Sequence, residues 1–160
     1  MYSVEIPEQF TMDATRLAYR SRRSEWEITP DRILCVGEAI SDARVEDWLL
    51  CIVTDVRGGW VEGSLFAQGR NNAIQWLSQS LGSSLELKLA NAPPFRSRVM
   101  WPPPLKEQPL FEYQVSAFRR AFSRGLRWLG VPLPSAVQTV HPAVVDSLWR
   151  SRRQNASLSG

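Results

Sequence analysis

A chain of 160 residues that is 44% apolar and 22% charged has the composition of a folded globular domain and excludes a disordered one. The net charge of +3 is a sum over unequal parts: +1 over residues 1–24, −5 over 25–92 and +7 over 93–160. No run approaches the ~20 apolar residues of a membrane-spanning helix, the start Met1-Tyr2-Ser3-Val4-Glu5-Ile6-Pro7 lacks the parts of a signal peptide, and two cysteines with one histidine exclude both a disulfide framework and a four-ligand zinc site.

In chain order, Tyr2–Ile6 reads as a short strand, and Asp13 is placed to cap a short helix through Tyr19, ahead of the polar Ser21-Arg22-Arg23-Ser24. Trp26 and Ile28 then alternate with Glu25, Glu27 and Thr29, Pro30-Asp31 makes a turn, and Ile33–Ile40 predicts an apolar strand. After the polar Ser41–Glu46, Trp48–Val56 predicts a second one. Arg57-Gly58-Gly59 supplies the positive φ angles of a tight turn into Trp60–Phe66, so the expected pattern is an antiparallel meander.

The period then changes. Ala73, Ile74, Trp76, Leu77 and Leu81 fall at helical spacing, with Asn71 or Asn72 as the cap and Gly82 as the left-handed stop. Leu85, Leu87 and Leu89 alternate with Glu86 and Lys88 as in a strand with one wet face. Six prolines between 91 and 110 exclude a regular helix there and leave Arg98–Trp101 as a short edge strand. From Phe111, the residues Val115, Phe118, Phe122 and Leu129 continue an amphipathic stripe, predicting a helix over Phe111–Gly130. A last helix is expected over Pro142–Arg153, with Val144, Val145, Leu148 and Trp149 on its buried side.

This order predicts an α+β fold: an antiparallel meander sheet packed against an inserted helix and a C-terminal amphipathic helix. Residues 1–150 are expected to form one domain and 151–160 a flexible tail. A curved sheet with a helix at its mouth, similar to pleckstrin-homology-like barrels, is one arrangement of these elements, although no motif in the residues points to that family. The strands Ile33–Ile40 and Trp48–Val56 are apolar on both sides, so a second layer must cover them, supplied by the Phe111–Gly130 helix or by a second copy of the chain.

Chemistry-bearing residues are few. A symmetric hairpin closed by Ser41–Glu46 pairs residue numbers summing to about 87, which sets Cys35 against Ile52 and Cys51 against Val36 with the sulfurs on opposite faces; a one-residue bulge would bring the two cysteines together. Neither has a basic neighbour in sequence to lower its pKa, so both are expected to be buried apolar thiols. His141 shows no partner that would fix its tautomer as a general base. Glu38 and Glu62 are the carboxylates best placed to divide acid and base roles across a cleft. Gly63-Ser64 is not a nucleophile elbow and Gly58-Gly59 is not a dinucleotide fingerprint, so no cofactor or metal is expected.

The positive signal is basic. Arg120, Arg124 and Arg127 share one face of the expected helix, with Arg119 nearby, opposite the phenylalanines. The expected function is therefore that of a soluble, cytoplasmic, non-catalytic interaction module, binding a protein partner or another copy of itself through that helical surface. One alternative is an enzyme or ligand-binding domain with a pocket between the sheet and the Arg70–Leu81 helix, near Trp48, Trp60 and Trp76. A further one, with less support because no nucleic-acid motif is present, is binding to nucleic acid or another anionic surface.

Overall fold

The structure is a computed structural model that describes residues 7–41, 47–89, 96–114 and 137–158. It is a mixed α+β fold with three open antiparallel sheets and two helices among the described residues. The first sheet is β1 (Gln9–Met12), β2 (Leu17–Arg20) and β3 (Glu25–Ile28). The second contains β4 (Cys35–Ser41), β5 (Asp47–Val53), β6 (Trp60–Ser64) and β7 (Ser97–Trp101) in the order β6-β5-β4-β7. The third pairs β8 (Phe111–Gln114) with β9 (Val137–Val140); the helices are α1 (Arg70–Leu81) and α2 (Pro142–Leu158).

The meander β4-β5-β6 follows the sequence pattern, and Gly58 takes φ 90° in the turn between β5 and β6. Because side chains alternate along each strand, the central sheet has two apolar faces. Val36, Leu50 and Ile52 face one way, against Ala73, Trp76 and Leu77 of α1 and against Phe10, Leu17, Tyr19 and Ile28 of the first sheet. Cys35, Ala39, Leu49, Cys51 and Val53 face the other way, against Leu105, Leu110, Phe111, Val140, Val144 and Leu148. The chain thus covers both faces with its own described elements, where the sequence left the second layer to either the Phe111–Gly130 helix or a second copy.

The edges are managed as well. Trp26 donates its indole N–H to the Glu62 carbonyl at 2.8 Å, which caps β6, and β1 is tied to the loop after β6 through Phe10 N to Gln68 O (2.8 Å) and Gln68 N to Glu8 O (3.0 Å). On the opposite edge, Val99 of β7 exchanges hydrogen bonds with Glu107 and Gln108.

Several elements differ from the sequence expectation. Asp13 starts no helix: its Oδ1 accepts from the Thr15 amide (2.8 Å) and the Arg16 amide (3.0 Å), and Asp13 N donates to Arg16 O, closing a hairpin between β1 and β2. The same acceptor chemistry serves a helix cap and a turn; the residues that follow decide, and Leu17 and Tyr19 alternate with Ala18 and Arg20 as a strand. Glu25–Ile28 is a strand, but of the first sheet rather than the meander. Leu85–Leu89 keeps its alternation, with Leu85 and Leu89 buried and Glu86 and Lys88 exposed, yet it is no strand, since the amides of Lys88 and Leu89 donate to the Glu38 carboxylate instead of a ladder.

The expected Phe111–Gly130 helix does not begin where its stripe begins. Phe111–Gln114 pairs with Val137–Val140, and an apolar residue such as Phe111 fits either period until a partner strand is present. Residues 115–136 lie outside the described residues, as do Tyr2–Ile6 and the connection 42–46. Helix α1 starts after Gly69, at φ 78° with no side-chain cap, rather than at Asn71 or Asn72; its stop at Gly82, φ 61°, is as expected. The prolines after Trp101 fold into a tight 3-10 turn, Pro103–Leu105, which buries Leu105. Helix α2 continues past Arg153 to Leu158.

Two glycines differ in what holds them. A Cβ on Gly37 would lie 2.5 Å from the Arg98 carbonyl oxygen and 2.7 Å from Leu110 Cδ2, where β4 and β7 shift register, whereas a Cβ on Gly82 meets nothing within 4 Å. Gly37→Ala is therefore expected to cost at least the 1–3 kcal/mol typical of overpacking, roughly, and Gly82→Ala only about 1 kcal/mol for its left-handed φ. Urea unfolding of the two variants checks the order, and a neutral Gly37→Ala would contradict the close approach of β4 and β7.

Candidate functional site

Glu38 stands in the middle of the apolar strand β4 and is fully buried. A lone carboxylate there would be too costly to keep ionised, so its surroundings must supply donors. Arg98 on β7 faces it across the sheet and is 6% exposed. Its Nε donates to Glu38 Oε1 at 3.0 Å, and its Nη2 donates to the same oxygen and to the Glu86 carbonyl. The indole N–H of Trp48 reaches Oε2 at 3.0 Å, and the backbone amides of Lys88 (2.8 Å) and Leu89 (3.4 Å) complete the set.

The network extends to the surface at Glu107, whose Oε1 accepts from Arg98 Nη1 at 2.7 Å and Lys88 Nζ at 3.3 Å. Partial burial alone would raise the Glu107 pKa, but the Lys88 hydrogen bond and the Arg98 charge outweigh it and hold the carboxyl below its usual value. Among the described residues no buried side-chain nitrogen or oxygen lacks a partner. Glu38 is thus fully occupied by structural donors, with no oxygen left to move a proton on a substrate.

Glu62, expected as its partner, does not face it. The register aligns Glu38 with Leu50 and Gly63, and Gly37 with Cys51 and Glu62, so the two carboxylates project from opposite faces of the sheet. Glu62 Oε2 instead accepts from the Trp60 indole at 3.3 Å. The three tryptophans expected around a pocket are divided in the same way: Trp48 and Trp76 pack with the α1 face, Trp60 with the other. Trp76 donates to the Asp13 carbonyl at 2.8 Å, pinning the first hairpin to α1, and Trp60 packs on Phe111 with ring centroids 5.1 Å apart.

The cysteines are paired one residue away from the symmetric expectation. Cys35 lies opposite Val53 and Gly37 opposite Cys51, so both thiols project from the same face and both are free and buried. Burial pushes the Cys35 thiol up to about 12 and holds Cys51 well above its ordinary value, with the Glu62 carboxylate adding to the effect. Neither carries a thiolate near neutral pH. His141 sits just before α2, where its Nδ1 accepts from the Ala143 amide at 3.2 Å and its own amide donates to the Leu110 carbonyl at 2.8 Å. It caps a helix. No group of three or more metal-ligating side chains occurs among the described residues.

Arg119, Arg120, Arg124 and Arg127 lie outside the described residues. A further arginine group, which the sequence reading did not single out within its Pro142–Arg153 helix, is on α2: Arg150, Arg152 and Arg153 are exposed, and none has an ion-pair partner among the described residues. Trp149, expected on the buried side of this helix, is 41% exposed. It is one of two large hydrophobic side chains exposed among the described residues; the other is Phe66, which rests edge-on against Trp48. Asp146, Trp149, Arg150 and Arg153 line an open cleft of about 440 Å³. No helix of the described residues is long and apolar enough to cross a membrane.

Comparison with known proteins finds no matching family model, no matching curated protein and no matching solved structure. The chemistry of the surface is accordingly the guide to what the chain does.

The interior network carries its own test. Arg98→Met leaves the Glu38 carboxylate buried without its counter-charge and is expected to cost about 3–5 kcal/mol, whereas the double variant Glu38→Leu/Arg98→Met recovers much of that loss. Chemical unfolding of both variants reads the difference, and an Arg98→Met variant as stable as the parent would contradict the account.

Proposed function

We propose that this chain is a non-catalytic interaction module that captures an acidic protein partner through exposed arginines. The observation that carries the reading is the projecting half of α2, on which Arg150, Arg152 and Arg153 are all exposed and lack ion pairs among the described residues. Arg16 and Arg20 are neutralised within the fold by Asp13, Glu27 and Glu25, and although Arg22, Arg23, Arg32, Arg57 and Arg96 are also exposed without an ion pair among the described residues, α2 gathers three such arginines within four residues of one helix.

The residues that were candidates for chemistry support the same direction. Glu38 is spent on Arg98, the thiols are buried and neutral, and His141 caps a helix. A pocket shared by Trp48, Trp60 and Trp76 would need side chains from one face of the sheet, and these come from both. Self-association has less support than an acidic partner, since both faces of the central sheet are covered within one chain.

Arg119, Arg120, Arg124 and Arg127 are the other arginine group that this reading includes. Two variants separate their contributions, one with Arg150, Arg152 and Arg153 changed to Gln and one with the four earlier arginines changed to Gln. Immobilised native chain is expected to retain acidic proteins that elute as salt rises, and at least one of the variants is expected to lose them. Retention by both variants at the level of the native chain would contradict the reading.

A further inference from the structure

The apolar residues of α2 span a broad arc: Val144 and Leu148 are buried, Val145 packs partly buried beside them, and Trp149, one turn on from Val145, is at the outer margin and 41% exposed. At about 100° per residue, Val144 and Leu148 point within one narrow sector, and both are buried in the core. Asp146, Trp149, Arg150 and Arg153 fall at i, i+3, i+4 and i+7, a stripe on the opposite side of the helix. Packing explains the first set and only part of the second, since Trp149 keeps 41% of its surface exposed. A merely solvated face would be served by polar residues, yet a tryptophan lies on this one, 41% exposed, with Asp146 before it along the helix and Arg150 and Arg153 after it.

The order of charges along the stripe restricts what fits. Among the described residues, Arg150 and Arg153 at one end present planar donors without carboxylate partners, and Asp146 at the other end presents an acceptor without a cation partner. Evenly spaced phosphates would meet the Asp146 carboxylate and be repelled by it, which disfavours a nucleic-acid strand or a phosphate-rich membrane. The apolar side of α2 is already buried, so it has no free face to insert into lipid. A peptide suits all three features: carboxylates for the arginines, an apolar side chain for Trp149, and backbone N–H groups for Asp146.

We infer that the outer face of α2 is the docking site for a short acidic protein segment, anchored by an apolar side chain of that segment on Trp149 and by its carboxylates on Arg150 and Arg153. The inference rests on the interaction-module reading and names the partner chemistry of one of its surfaces. Aromatic and arginine side chains together form the usual energetic centre of such contacts.

The test uses the full chain and two fluorescent peptides, one with a leucine among glutamates and one with alanine in its place. Anisotropy at low salt is expected to show the leucine peptide binding roughly ten-fold more tightly, the ratio set by covering part of one leucine side chain. Trp149→Ala should remove that difference while leaving the alanine peptide unchanged. Arg150→Gln/Arg153→Gln should weaken both peptides. All three substitutions are at exposed positions, and circular dichroism confirms that the variants fold.

Equal affinity of the two peptides for the native chain, with both weakened in the arginine variant, would overturn the Trp149 anchor and leave the basic-surface reading standing. Failure of both peptides to bind while a single-stranded oligothymidylate binds would overturn the acidic-protein assignment altogether. Failure of every probe would overturn the docking site.

Discussion

The fold depends on one buried carboxylate. Glu38 is surrounded by the apolar side chains of the α1 face, and it is kept there only because Arg98, the Trp48 indole and two backbone amides converge on its two oxygens. Those donors come from β7, β5 and the segment after α1, so satisfying one side chain fixes the positions of three others relative to β4. A buried ion pair is a weak source of net stability compared with apolar residues of the same volume. What it contributes is specificity: any other seating of residues 86–89 or of β7 would strand a charge away from water.

With the central sheet set in this way, its two faces take different coverings. One carries α1 and the small first sheet, whose Phe10, Tyr19 and Trp26 pack ring against ring and reach the β6 edge. The other carries β8, β9 and the first half of α2. The second half of α2 then extends past its last buried residue, Leu148, and every described side chain from Trp149 onward is exposed. Core and surface are thus divided along a single helix: Val144 and Leu148 are buried, and the stripe opposite them is exposed.

The sequence made the meander and α1 legible because each is a local pattern with its own stop, the Gly58-Gly59 turn in one case and Gly82 in the other. Asp13, Leu85–Leu89 and Phe111 were misread for a shared reason. Their local signals are real but degenerate, since an aspartate caps a turn as well as a helix, and alternation does not say which donors or acceptors an extended segment will meet. The partner of Glu38 lies 60 residues away. A signal for it was present all the same: one acid and one base each interrupt an apolar strand, Glu38 in β4 and Arg98 in β7, and a charge buried in a sheet requires its opposite. Trp149 follows the partly buried Val145 by one turn and so extends the apolar stripe in sequence, but it lies at the outer margin of that arc and keeps 41% of its surface exposed.

The most direct test of this account is hydrogen exchange at the backbone amides of Lys88 and Leu89. Both belong to a segment with no strand partner, so an ordinary surface loop would exchange them quickly, whereas donation to a buried carboxylate should protect them as strongly as the amides of β4 and β5. Protection of that order is the predicted result. Exchange at the rate of an open chain would mean that Glu38 does not organise this fold.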